Sequence, residues 1–229
     1  MLEPDDRTLY TELLSPPAGT RFDFAIATSY SLDLDVLLGV PIQLALGASE
    51  DSTELVRDPV TLYDALKRVS SRLKIYIQAA GTHAPANPHL LYSLLEPVIS
   101  EVQAPRGGVF HPKLWALRFV DEEDQPLYRL VICSRNITAD RSWDVAMTVE
   151  GEPGFFPRPP NAPLAKLVRS LPKLAGNPAD PAVNRIAAEL ESVEWRLPKG
   201  LMLQLGVSPE GQIEPNRYHS RLYQPPIGR

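Results

Sequence analysis

The residues of this sequence best suited to chemistry are His111, Lys113, Ser134 and Asn136. His111 and Lys113 lie in one segment whose apolar pattern predicts a β-strand, and Ser134 and Asn136 lie at the end of another. Because side chains two residues apart on a strand share a face, His111 and Lys113 should point the same way as Trp115, and Ser134 the same way as Asn136. An imidazole can attack phosphorus, while ammonium, hydroxyl and carboxamide groups donate to its non-bridging oxygens. The pattern therefore predicts a phosphate site.

This arrangement resembles the phospholipase D-like superfamily, whose repeat carries H-x-K followed by S-x-N on the next strand. Here the two motifs are His111-Pro112-Lys113 and Ser134-Arg135-Asn136. The residues that follow, Ile137-Thr138 and then Trp143, are similar to the nuclease and tyrosyl-DNA phosphodiesterase members. The motifs fall within residues 109–151, and a weaker agreement in strand order extends the resemblance over most of the chain.

The resemblance implies a metal-independent phosphodiesterase or nuclease that needs no cofactor and works through a covalent phosphohistidine. His111 would be the nucleophile. Lys113 and Ser134 would bind phosphate oxygens, and Asn136 would orient the imidazole or bind phosphate. The implied partner is nucleic acid, with DNA favoured over lipid and no membrane. Because a single H-x-K supplies one imidazole, the second would come from a homodimer partner or from the other half of a larger enzyme.

The chain departs from the superfamily pattern at the residues that support the motif. Arg118 stands where the repeat has Asp, Cys133 where many nucleases have Gly, and Met147 where Gln or Glu is frequent. These departures keep a second interpretation open, a non-catalytic subunit that binds nucleic acid or a partner protein. A lipid phosphodiesterase is disfavoured because no amphipathic membrane-binding helix stands out.

Hydrophobic periodicity predicts the elements that must position these residues. The predicted strands are residues 21–29, 74–78, 107–119, 128–133 and 145–149, and the predicted helices are 5–14, 32–38, 59–71, 90–95, 164–171 and 182–193. Pro41 should kink or interrupt its helix, and residues 42–46 fit either a continued helix or a strand. Alternating helices and strands followed by a run of strands predict an α/β fold, a phospholipase D-like mixed sheet flanked by helices in a single repeat.

The proline-rich segment 152–163 predicts a linker or a long surface loop after a repeat formed by residues 1–151. Residues 164–229 would then supply a helical segment and a strand at 201–207 that begins an incomplete second repeat.

Charge is unevenly distributed along the chain, whose net charge is −5. Residues 1–60 carry 11 acidic and 3 basic side chains, against 17 and 20 in the remainder. A local phosphate-binding surface fits this distribution, whereas a large nonspecific DNA footprint does not. One cysteine and no secretory signal at Met1 favour a cytoplasmic protein.

Several other residues have ordinary structural explanations. His83 and His89 lack a third and fourth partner for a metal, although they could line the same cleft. Trp115 is expected in the core, Cys133 as a small buried apolar residue, and Asp144 as a residue that fixes the turn after the second motif.

Overall fold

A computed structural model describes residues 10–47, 58–83, 90–139 and 144–197 of the chain. These residues form nine strands and five α-helices, together with short 3₁₀ helices and loops. The strands are β1 (Arg21–Ser29), β2 (Leu32–Asp33), β3 (Leu73–Gln78), β4 (Thr82–His83), β5 (Ile99–Val102), β6 (Leu114–Val120), β7 (Pro126–Cys133), β8 (Ala146–Pro153) and β9 (Val193–Arg196). The helices are α1 (Tyr10–Leu14), α2 (Leu34–Gly47), α3 (Pro59–Ser70), α4 (Ala162–Leu174) and α5 (Pro181–Leu190). None of these helices is long and apolar enough to cross a membrane.

Seven of the strands form one mixed sheet in the order β5-β3-β1-β6-β7-β8-β9. β5, β3 and β1 run parallel, and each later strand is antiparallel to its neighbour. The ends of β1, β3 and β7 therefore meet the starts of β6 and β8 at one edge. We call this the motif edge, marked by Ser29, Gln78, Leu114, Cys133 and Ala146. The predicted α/β fold with a mixed sheet is confirmed.

Helices cover both faces of the sheet, because alternate residues of the central strands are apolar on each side. On β6, Leu114 and Ala116 pack with α4 and α5, whereas Trp115 and Leu117 pack with α1 and α2. Trp115 is fully buried, so its expected place in the core is confirmed. Two apolar layers thus fix the central strands that lead into the motif edge.

The predicted strand at 107–119 is shorter in the structure, since β6 begins only at Leu114. Residues 105–107 form a 3₁₀ turn, and Pro112 has no N–H to donate to a neighbouring strand. The segment that carries His111 and Lys113 therefore precedes β6, and strand alternation does not set the direction of these side chains. Our prediction that they lie on the same strand as Trp115 is wrong.

Two helical predictions also need correction. α2 continues through Pro41 to Gly47, which settles residues 42–46 as helix. Its buried residues Leu37, Val40 and Leu44 offset the backbone hydrogen bond that proline removes. Residues 90–98 form two 3₁₀ helices in place of an α-helix.

Residues 162–197 belong to the same sheet and core as the preceding part of the chain. β9 pairs with β8, and α4 and α5 bury their apolar residues against the central strands. Within the predicted linker, β8 extends to Pro153, and buried Asn161 donates from Nδ2 to the Val193 carbonyl at 2.8 Å. The predicted strand at 201–207 lies outside the described residues, so an incomplete second repeat stays a prediction.

Arg118 has a structural role far along β6 from the motif edge. Its side chain is 11% exposed, and its guanidinium lies 2.7 Å from Asp23 Oδ2 on β1 and 2.9 Å from Glu189 Oε2 on α5, which joins α5 to the sheet. Glu189 also accepts the hydroxyl of buried Tyr128 at 2.8 Å. Arg118 therefore ties α5 to β1 and β6.

We expect Arg118→Met to lower the free energy of unfolding by about 3 kcal/mol, because partly buried Glu189 loses its cation and Asp23 is left with the exposed Arg185, 3.4 Å away. Urea denaturation of both proteins measures this difference. The control is Arg21→Met, which removes an ion pair to Asp124 whose side chains are 55% and 76% exposed, and its expected loss is below about 1 kcal/mol. Equal losses in the two variants would contradict this account of Arg118.

Candidate active site

The structure brings His111 and Lys113 into direct contact at the motif edge. Lys113 Nζ lies 2.9 Å from Nδ1 and 2.9 Å from Nε2 of the His111 ring. His111 is exposed, whereas Lys113 is only 8% exposed. A buried ammonium therefore lies against an imidazole that remains open to solvent and to a substrate.

Burial shifts the titration of both groups, and the contact adds to the shift of His111. Partial burial, and then the positive charge of Lys113, lower the pKa of His111 from its ordinary value. Burial also lowers the pKa of Lys113. Because a second positive charge beside the ammonium is unfavourable, the imidazole is neutral near pH 7 and keeps a lone pair for attack.

We expect the pKa of His111 in the free protein to lie below about 6.5, and Lys113→Met to raise it by removing the nearby charge. The folded state binds the imidazole proton of His111 less tightly than the unfolded state does. The free energy of unfolding should therefore decrease as the pH falls below about 6.5, the ordinary pKa of histidine. A histidine NMR titration, with the signal assigned through His111→Ala, measures the pKa. An unchanged value in Lys113→Met would contradict the electrostatic contact.

The second motif leaves β7 after Cys133 and crosses the motif edge toward β1. At its start, Ser134 Oγ accepts from the Val145 N–H at 2.9 Å and donates to Asp144 Oδ1 at 3.1 Å. Further on, Asn136 Oδ1 accepts from the Tyr30 N–H at 3.3 Å. Strand alternation therefore sets no common direction for Ser134 and Asn136, because residues 134–136 are not part of a strand. Asp144 thus binds the start of the second motif, through Ser134 and through an ion pair with Arg135.

Tyr30 connects the two motifs, and the sequence analysis did not identify it. Its ring centroid lies 5.1 Å from that of His111 with the planes tilted by 47°, while its backbone N–H binds Asn136. The ring is 40% exposed. An aromatic residue directly after an apolar strand, β1, is the signal that could have indicated it. His111, Lys113, Asn136 and Tyr30 thus surround one place on the surface.

His83 lies in β4 and contacts Asp33. Its Nδ1 is 2.9 Å from Asp33 Oδ1, and Asp33 Oδ2 accepts from the Ala139 N–H at 2.8 Å. His89 lies outside the described residues. Across the part of the chain that is described, no three His, Cys, Asp or Glu side chains group closely enough to hold a metal ion.

Cys133 is half-buried and packs beside the apolar layer under α2. Burial, with a smaller contribution from Asp144, raises its pKa to about 11. The thiol is therefore protonated at neutral pH and is a poor nucleophile.

Comparisons with known proteins give a structural likeness only. No family model matches the sequence, and no curated protein matches it. Two structures of yeast tyrosyl-DNA phosphodiesterase variants are 15% identical over 83% of this chain, with TM-scores of 0.51 and 0.49. The chain spans 38% of the length of each. The first of these likenesses shows that the chain shares the phospholipase D-like fold of part of that enzyme.

Proposed function

We propose that this protein is a metal-independent phosphodiesterase that cleaves nucleic-acid phosphodiesters with His111 as the nucleophile. The observation that carries the proposal is the contact between the Lys113 side chain and the exposed His111 ring. It places a nucleophile and a cation for phosphate oxygens side by side. The shared fold of a phosphodiesterase supports the same conclusion.

In the first step, a ring nitrogen of His111 attacks phosphorus, so that a P–N bond forms as the bond to the leaving oxygen breaks. A second imidazole gives that oxygen a proton. Water, deprotonated by the same imidazole, then attacks phosphorus and releases His111 with its electron pair. Lys113 moves its hydrogen bond from the acceptor nitrogen of the imidazole to the phosphate oxygens, where negative charge develops.

Asn136 and Ser134 are the other phosphate ligands in this proposal. With Asn136 Oδ1 held by the Tyr30 N–H, the Nδ2 group can donate to a phosphate oxygen. Ser134 must exchange its hydrogen bond to Asp144 for one to phosphate. Tyr30 presents a ring face on which a nucleobase can stack.

The second imidazole comes from another copy of the chain or from the other half of a larger enzyme. H-x-K occurs once in the 229 residues. A two-fold axis at the site would place His111 of each copy opposite the other and create one shared site. In that case, activity per chain rises with protein concentration until the dimer forms.

The test is phosphodiesterase activity in EDTA on single-stranded DNA, duplex DNA and an oligonucleotide joined to tyrosine. Each assay is run over a range of protein concentrations. Turnover that survives EDTA is expected, and full dependence on an added divalent metal would contradict the mechanism. Preference among the three substrates identifies the leaving group.

A second candidate function is a non-catalytic subunit that binds nucleic acid or a partner protein. The hydrogen bonds of Ser134 to Asp144 and Val145 favour it, because they occupy a side chain that the reaction needs. Under this alternative, folded protein binds DNA in a gel-shift assay without turnover, and His111→Ala binds equally well.

A further inference from the structure

We propose that Thr28, Ser29 and Gln78 are positioning residues of the site, whose side-chain oxygens hold the two motif segments through backbone N–H groups. The inference rests on the proposed function and extends it to residues outside both motifs. These side chains end β1 and β3, strands that contribute neither motif.

Each of the three oxygens accepts an N–H beside a motif residue. Gln78 Oε1 accepts from Phe110 at 2.7 Å, directly before His111. Thr28 Oγ1 accepts from Leu114 at 3.2 Å, directly after Lys113. Ser29 Oγ accepts from Ile137 at 3.1 Å, directly after Asn136, and donates to the Ser31 carbonyl at 2.7 Å.

The burial of Thr28 and Ser29 indicates a specific role, whereas Gln78 is half-buried. Among the described residues, only five polar or charged side chains are buried: Thr28, Ser29, Ser70, Lys113 and Asn161. Three of the five lie at the motif edge. A polar group that is buried in a core must be hydrogen-bonded, and here the partners are the two motif segments.

The first motif segment depends on these contacts because it precedes β6 and contains Pro112. Proline donates no backbone hydrogen bond, so the N–H groups of Phe110 and Leu114 fix the two ends of the segment. Between them, the Lys113 carbonyl accepts from the Cys133 N–H at 2.9 Å. Loss of the hydrogen bond at either end would let the His111 ring move relative to Tyr30 and Lys113.

A displacement of the His111 ring would lower the rate of attack on phosphorus. Attack requires the nucleophile about 3–3.5 Å from phosphorus along the correct line, and a displacement of about 1 Å can lower the rate by about 10²-fold. Substrate binding, which depends on charge and stacking, changes less. We therefore expect loss of an acceptor to lower kcat about 10- to 100-fold while KM stays within about threefold.

The sharpest comparison is Thr28→Val with Thr28→Ser. Valine has nearly the same shape but no acceptor, whereas serine keeps the hydroxyl. The expected result is a loss of kcat in Thr28→Val that Thr28→Ser largely restores. Gln78→Met, at a half-buried position, repeats the test should Thr28→Val fold poorly. Ser29→Ala tests the second segment, and Ser70→Ala, a buried hydroxyl in α3, is its matched control with unchanged kcat.

A second readout needs no turnover. In the full chain without substrate, the NMR chemical shift of the His111 ring should move in Thr28→Val and Gln78→Met and stay unchanged in Ser70→Ala. A moved signal in an inactive wild-type protein would support positioning and refute the proposed function. Folded variants with an unmoved signal, or with kcat within twofold of wild type, would overturn the inference.

Discussion

His111→Ala will lower kcat/KM for DNA phosphodiester cleavage by at least about 10⁴-fold, because the covalent step loses its nucleophile. The ring is exposed and lies at the end of the sheet, so the truncation leaves the apolar layers intact. The unfolding midpoint should therefore stay close to that of the wild type. Steady-state rates in EDTA, together with thermal unfolding of the same samples, measure both effects.

The matched control is His83→Ala, which removes an exposed imidazole bound to Asp33. This variant should keep its rate within about threefold, since His83 donates to no group of the proposed reaction. A comparable loss in both histidine variants would mean that the assay reports something other than attack by His111. Full activity in His111→Ala would refute the mechanism directly.

Lys113→Met will lower kcat about 10²- to 10³-fold, because a buried cation that meets the phosphate oxygens is lost. Methionine fills much of the same space, so that packing beside the imidazole is retained. Lys113→Arg should restore only part of the rate, since a planar guanidinium cannot replace a compact ammonium in a buried position. Single-turnover rates separate this effect from substrate binding.

Lys67→Met is the control for the loss of one positive charge. Lys67 is exposed on α3, so its removal changes the net charge equally without touching the site. The expected rate equals that of the wild type at moderate salt. If both lysine variants lost activity alike and both recovered at low salt, long-range attraction would explain the effect, and the local role of Lys113 would be wrong.

The sequence patterns predicted the α/β fold and placed His111 and Lys113 on one face, where the structure shows them in contact. Strand alternation was the wrong reason for that contact, since both residues precede β6. The contact between His111 and Lys113 depends on the conformation of the segment before β6. That segment is held by the hydrogen bond from the Phe110 N–H to Gln78 on β3. A pattern within one segment carries no information about such a long-range hydrogen bond.

The same limit explains why Tyr30 and Thr28 were not identified. Both lie about 80 residues before the motif, and only the antiparallel pairing of β1 with β6 brings them to the motif edge. β9 was also not predicted from the sequence, because its local pattern is weak. Its four residues follow a strongly amphipathic helix, α5, and a short edge strand gives little periodic signal of its own.

The most direct test of the central claim is to trap the covalent intermediate. The chain is mixed with an oligonucleotide labelled at the scissile phosphate, quenched in base, in which phosphohistidine survives, and digested for mass spectrometry. We expect the labelled phosphate on the peptide that contains His111, lost after brief acid treatment and absent from His111→Ala. Turnover without an adduct, an adduct on another residue, or a folded protein that yields neither adduct nor product would contradict attack by His111.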